Sequence, residues 1–399
     1  MNKKLIGVFV LAVILFSCRN SKHIQPEIEA ELFTPVFISD LINENHHTLT
    51  FLAVGDNLFH EWIINTFRQD DIYDFSPIYS EVKDIIRKAD LTFINQETVM
   101  AGERFGYSGF PRFNTPQSLA YTLADTGFEI MNLANNHALD MGSAGLYATL
   151  DFLDTIDELT VIGARRSGES RRIITRNNIT LGFLAYTFSL NGMPIPSNNP
   201  NLVSMINRNT MTKEISELRP LCDFLIVSMH WGDEYMLIEP VSSQKELALF
   251  LAENNVDLII GHHPHVLQRV EKLPRPDGKE TLCFYSLGNF ASNQREKDRV
   301  LGAMMLVTFN KESSDSSEDK LYISDSGILP VVCHFEPGFL NTKLYPFYSY
   351  TNELMEKHFV RQVIGDKEMS FYYYLSVIYS LETEIYMRDP FIPQPSLPF

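Results

Sequence analysis

The stretch Leu258-Ile259-Ile260-Gly261-His262-His263-Pro264-His265-Val266 most constrains what this chain can fold into, because an apolar run stops abruptly and sets three imidazoles within four positions. A run bounded in this way reads as a buried strand. In open α/β sheets the ligand crevice lies just beyond the carboxyl ends of the strands. Gly261 is expected to let the backbone turn tightly, and Pro264 to hold His263 extended, so that His263 and His265 aim at one point. The plain alternative is a polar turn.

The same form recurs along the chain. The apolar run 50–55 ends in Asp56, and 91–94 ends at Asn95-Gln96-Glu97. Between them Ser76-Pro77 is expected to open a helix, Ser as cap, with Ile78, Val82, Ile85 and Ile86 on one face, making a βαβ unit. Run 128–133 ends in Asn135-Asn136-His137 and precedes a helical pattern of Leu146, Leu150, Leu153 and Ile156. Runs 183–186 and 224–229 follow, the latter ending in His230. Ser243 with Glu246 has the spacing of a capping box for a helix carrying Leu247, Phe250 and Leu251. Run 282–285 ends at Ser286-Leu287-Gly288-Asn289-Phe290. Runs 303–309 and 331–335 read as strands joined by a Ser- and acid-rich loop, and 345–399 is aromatic-rich and partly helical in pattern.

A net charge of -17 argues against nucleic acid as the main partner. An anionic substrate would need local positive charge, which a metal supplies. Asp56, Glu97, Asn136 with His137, His230, and His263 with His265 each follow an apolar run. One such residue would be a helix cap or a satisfied core histidine. Gathered in one crevice, these carboxylates and imidazoles are costly without a cation. Nitrogen and oxygen donors without cysteine suit divalent Mn, Fe, Zn or Mg. Cys222, Cys283 and Cys333 are scattered and form no disulfide framework.

Met1-Asn2-Lys3-Lys4 followed by the apolar run 5–16 has the form of a secretory leader, shorter than the roughly 20 residues of a spanning helix. Leu15-Phe16-Ser17-Cys18 resembles a bacterial lipobox. The expectation is residues 1–18 as leader, lipidation at Cys18, 19–47 as a tether, and a membrane-anchored domain in the cell envelope, outside the cytoplasm.

The segments Val54-Gly55-Asp56-Asn57-Leu58-Phe59-His60, Asn95-Gln96-Glu97-Thr98, Leu133-Ala134-Asn135-Asn136-His137-Ala138-Leu139-Asp140-Met141-Gly142, His230-Trp231-Gly232-Asp233-Glu234-Tyr235, Gly261-His262-His263-Pro264-His265-Val266-Leu267-Gln268 and Tyr285-Ser286-Leu287-Gly288-Asn289-Phe290 stand in that order. At these residues the sequence resembles the poly-γ-glutamate capsule biosynthesis (CapA-type) family, a branch similar to the calcineurin-like metallophosphatases. The resemblance covers 48–310 and leaves outside it 311–344, with its strands and acidic loop, and the C-terminal extension 345–399.

The resemblance implies an α/β fold of four layers, α/β/β/α, with an extra C-terminal segment. It also implies a two-metal site at the strand ends and a polymer-related role. Asp56 and His265 are expected on one metal, Asn136, His230 and His263 on the other, and Glu97 between them. Phosphatase relatives carry a histidine two positions after the first aspartate; here Leu58 stands there, and His60 is the substitute. They also carry an aspartate where this chain has the longer Glu97. A water activated between two cations about 3.5–4 Å apart would attack phosphorus in line. His137 is then the proton donor to the leaving oxygen, and Asp140 either orients it or caps the next helix. Glu234, Tyr235 and Asn289 are substrate-side candidates, with His262 behind the ligands or exposed. Three activities fit: a metal-dependent phosphohydrolase acting on a phosphoester or anionic polymer precursor, a non-catalytic accessory of the capsule-synthesis machinery that holds polyglutamate or another polyanion, and a hydrolase of a non-phosphate bond.

Overall fold

The computed structural model describes residues 45–167, 172–313 and 318–392. The expected leader, Cys18 and nearly all of the tether lie outside the described residues. Among the described residues no helix is long and apolar enough to cross a membrane.

The strands in chain order begin with β1 (His46–Leu58), a short ribbon of β2 (Arg68–Gln69) and β3 (Ile72–Tyr73), then β4 (Leu91–Gln96), β5 (Ile130–Asn132) and β6 (Thr160–Ile162). Next come β7 (Arg172–Arg176), β8 (Ile179–Thr187), β9 (Phe224–His230), β10 (Leu258–His262), β11 (Val270–Pro274) and β12 (Glu280–Phe284). The last are β13 (Asn289–Ser292), β14 (Leu301–Glu312), β15 (Lys320–His334), β16 (Lys343–Pro346) and β17 (Glu384–Ile385). One sheet has the order β16-β15-β14-β1-β4-β5-β6, with β13 also on β1 and β17 on β15. The other runs β11-β12-β10-β9-β8-β7. In both, the central strands are parallel, which sends the residues following β1, β4, β5, β9 and β10 to matching ends.

Alternation along the strands builds the layers. Phe183, Ile226, Leu258 and Ile260 face the first sheet: the Phe51 ring centre lies 5.9 Å from that of Phe183, and Phe224 lies 4.6 Å from Phe309. Their neighbours Leu184, Leu225, Val227, Met229 and Ile259 form a second core with Met211, Ile215 and Leu218 of helix Arg208–Leu218 and Ala248 and Leu251 of helix Ser242–Glu253. Leu119 and Leu123 of helix Ser118–Thr126, with Leu146 and Leu150 of helix Gly142–Leu153, belong to the first core. The order is therefore helix, sheet, sheet, helix.

Several local expectations are corrected. Gly261 does not turn the chain; it sits inside β10, where a β-carbon would come 1.9 Å from the carbonyl oxygen of Tyr285. The expected 76–86 helix is broken into Ser76–Tyr79 and Lys83–Ile86, and Asp74 rather than Ser76 supplies the capping acceptor, at 3.0 Å from the Ser76 N–H. The helix after β9 is closed by Gln244, whose Oε1 accepts from the Val241 N–H at 3.0 Å, so Ser243 and Glu246 are not its box. Residue 310 falls inside β14, and the chain beyond it continues the first sheet. Phe347, Tyr350, Phe359, Tyr374 and Ile378 join the main core. The described residues form one compact unit.

Candidate metal centre

Asp56, Glu97, Asn136, His230, His263 and His265 all become buried and meet at one end of the sheets. His230 Nε2 lies 2.9 Å from Asn136 Oδ1 and 3.4 Å from Glu97 Oε1. His265 Nε2 lies 3.7 Å from the same glutamate oxygen, and its Nδ1 lies 3.0 Å from Asp56 Oδ2. Asp56, Glu97 and His230 offer three ligand atoms within 4.8 Å of one another, as do Glu97, His263 and His265. These sets pair Asp56 with His230 and His263 with His265, whereas the expected division put Asp56 with His265 and His230 with His263; Glu97 is common to both, which is the placement a shared carboxylate needs.

Whether these residues suit cations is answered by what they leave unpaired. Both oxygens of Glu97, Nδ1 of His230 and Nδ1 of His263 are buried without a hydrogen-bond partner. Such atoms normally find one. Burial and the Asp56 charge push the Glu97 carboxyl up to about 8. Burial, then His230 and His265, lowers His263 to about 2, and burial holds His230 well below the usual imidazole value, so both are neutral rings with a lone pair to give. Burial lowers His265 too, but Glu97 and Asp56 outweigh it and raise the ring to about 9. Burial would raise Asp56, yet the His262 and His265 rings beside it, 3.3 and 3.0 Å from its oxygens, keep it well below the carboxylate range. With protons alone to hand, one carboxyl keeps its proton and the other takes an imidazolium partner. The donor set fits divalent metal, which replaces both.

The ligands are held from behind. Asn95 Nδ2 donates to Asp56 Oδ1 at 2.8 Å, Asn132 Nδ2 donates to Asn95 Oδ1 at 2.8 Å, and Asn132 Oδ1 accepts from the Ala134 N–H at 2.9 Å. This amide relay fixes which way Asp56 points. Asn289 is fully enclosed: its Oδ1 lies 3.0 Å from His265 Nδ1, and its Nδ2 donates to Gln294 Oε1 and the Arg299 carbonyl. It orients His265 rather than lining the substrate side. When metal takes the place of the second proton, the acceptors at Nδ1 keep the hydrogen there and leave Nε2 towards Glu97.

His263 is not extended as Pro264 leads one to expect. Its φ is 97°, and that of His265 is 59°. The turn points the His263 N–H at Asp56 Oδ2, 3.2 Å away. Backbone of this kind costs about 1–3 kcal/mol per residue and gathers at working sites.

Asp140 orients His137 and does not cap a helix. Its Oδ2 lies 2.8 Å from His137 Nδ1 and accepts from the Phe113 N–H at 2.7 Å, while Met141 is the helix boundary and makes no side-chain cap. Asn191, from a loop without any sequence signal, reaches His137 Nδ1 and Asn136 Nδ2 at 3.4 Å each. His262 is buried, stacked on Phe93, with Nδ1 3.3 Å from Asp56 Oδ1. His60 joins neither ligand set; its Nδ1 lies 3.1 Å from the Leu58 carbonyl, and its ring packs edge-on to Phe113. A cavity of about 320 Å³ adjoins Asn136 and His137 and is bordered by Asp140, Asn191, Arg112 and Glu234. Larger cavities, of about 780 and 740 Å³, touch none of the ligand residues. Tyr235 is partly exposed, its ring 6.2 Å from that of His265 and covered by the Arg299 guanidinium.

Residues 50–294 match the family described as bacterial capsule synthesis protein PGA_cap. Over 258 residues the chain is 30% identical to the PGA biosynthesis protein CapA of Bacillus subtilis (strain 168), covering 62% of this chain and 65% of that one. Over 281 residues it is 27% identical to the capsule biosynthesis protein CapA of Bacillus anthracis, covering 66% and 65%. The matched region thus spans just under two thirds of the length of these curated relatives. The calcineurin-like phosphoesterase YfkN from Bacillus subtilis aligns over 84% of this chain and 99% of its own, at 12% identity and a TM-score of 0.42.

Proposed function

The chain belongs to the PGA_cap family of bacterial capsule synthesis proteins, and from that premise we propose that it is a cell-envelope lipoprotein whose buried centre hydrolyses a phosphoester in capsule or poly-γ-glutamate synthesis. The observation that carries this reading is Glu97, whose two unpaired oxygens lie between two sets of donors. Asp56, Glu97, Asn136, His230, His263 and His265 would hold the metal. Bound divalent cations supply the charge that acidifies a water and neutralises phosphoester oxygens.

The remaining work falls to this chain's own side chains. Asp140 takes the Nδ1–H of His137, which leaves Nε2 as the nitrogen that carries a proton to the leaving oxygen. The Asp140 carboxylate steadies the ring while it is charged. Phe113, edge-on to His137 at 4.7 Å, closes that side of the ring against water.

The test is a panel of phosphoesters with Mn, Fe, Zn and Mg. Metal-stimulated phosphate release is expected, abolished by chelator and by His265→Ala. A folded protein that turns over none of the panel with any of these metals refutes hydrolysis; saturable polyglutamate binding without product would replace it with the accessory role. The anchor is separate: Cys18→Ala should move the protein from the membrane fraction to the soluble one, and unchanged retention would count against lipidation.

A further inference from the structure

Arg112 stands on the rim of the cavity that opens beside His137. Its place is fixed through its neighbour: the Phe113 N–H is bonded to Asp140, which is bonded to His137, and the Arg112 carbonyl accepts from Ser108 Oγ at 2.7 Å. The segment bearing the guanidinium is therefore tied to the proton donor of the site. Among the described residues the Arg112 side chain makes no ion pair or hydrogen bond. Arg87, Arg176, Arg219, Arg269 and Arg275 each have a carboxylate partner, as expected in a chain with 50 acidic and 33 basic residues. An unpaired guanidinium fork beside the reacting end is matched to a planar anion.

The cavity narrows the choice of anion. At about 320 Å³ it has room for roughly ten waters' worth of ligand, a short carbon chain with one head group. Glu234 borders the same space, so a doubly charged group at Arg112 would also be pressed against a carboxylate. A singly charged one balances Arg112 alone.

We propose that Arg112 is the specificity residue of this site and binds a carboxylate that the substrate carries a few carbons beyond its scissile phosphoester. The reacting end in this statement rests on the phosphoester reading above; the carboxylate contact does not need turnover.

The experiment uses the metal-loaded protein and two non-hydrolysable probes that differ only in the distal group, 3-phosphonopropionate and propylphosphonate, titrated by calorimetry. The wild type should bind the carboxylate probe about 10- to 100-fold more tightly, the range of a charge-assisted contact. Arg112→Ala should erase the preference and leave propylphosphonate affinity unchanged. Arg112→Lys should keep part of it, and Glu234→Gln should strengthen it, a gain that mere structural damage would not give. Equal binding of the two probes, a preference that survives Arg112→Ala, or no binding of either would overturn the proposal. An Arg112-dependent preference in a protein that hydrolyses no phosphoester would sustain it while refuting the hydrolase.

Discussion

Glu97→Gln is expected to strip divalent metal from the purified protein and, in the metal-free form, to make the fold more stable. As a ligand shared by both donor sets, Glu97 should matter at least as much as the residues behind it, so affinity falls by about 100-fold or more. The gain in the metal-free form follows from the sign of its titration. Its carboxyl sits at about 8 in the fold, raised by burial and by Asp56 from an ordinary value of 4.5. Below pH 4.5 the group is protonated in both states and has no effect. Between 4.5 and 8 the unfolded chain ionises while the folded one does not, so stability falls as pH rises, and above 8 the full loss persists. The loss is on the order of a few kcal/mol. Glutamine removes it. Melting curves at pH 5 and pH 8, with and without chelator, check both halves. In chelator the variant should melt above the wild type at pH 8 and close to it at pH 5, and with metal the order at pH 8 should reverse. A variant that keeps its metal, or gains nothing in chelator, contradicts the assignment.

The second large effect is on the chemical step. His137→Ala should lower kcat by about 10²- to 10⁴-fold, the usual worth of a positioned proton donor, without altering metal content. Asp140→Asn should cost about 10- to 100-fold. An amide oxygen can take the place of Asp140 Oδ2 and keep both of its contacts, to the His137 ring and the Phe113 N–H, but it carries no charge to balance the imidazolium. Steady-state rates beside elemental analysis separate the roles. Metal lost with His137→Ala would move that ring into the ligand set, and an unchanged kcat would remove it from the chemistry.

Much of this was legible because strand ends announce themselves: an apolar run that stops at Asp56, Glu97, His230 or His263 states both where the strand is and what it delivers. The run cannot state what stands behind it. Asn95 and Asn132 look like ordinary polar residues until the β4–β5 register places them side by side. Asn191 lies in a loop with no periodicity at all. Asn289 was legible as a residue of the site but not its direction, which depends on β13 pairing with β1 and on the Arg299 carbonyl. His60 failed for a local reason: two residues beyond Leu58 it lies past the end of β1, and its Nδ1 turns back to the chain's own carbonyl. Pro264 biases its predecessor towards extended backbone, but the His263 N–H bond to Asp56 wins. The C-terminal stretch carries no motif, and its membership of the core rests on aromatic packing that pattern alone does not pair.

The most direct test of the account is an anomalous-difference map from crystals grown with Mn²⁺. Two peaks are expected on either side of Glu97, about 3.5–4 Å apart, one reached by Asp56 and His230 and the other by His263 and His265. A map with no peak beside Glu97, with crystals that hold Mn²⁺ elsewhere, would contradict the centre on which everything else stands.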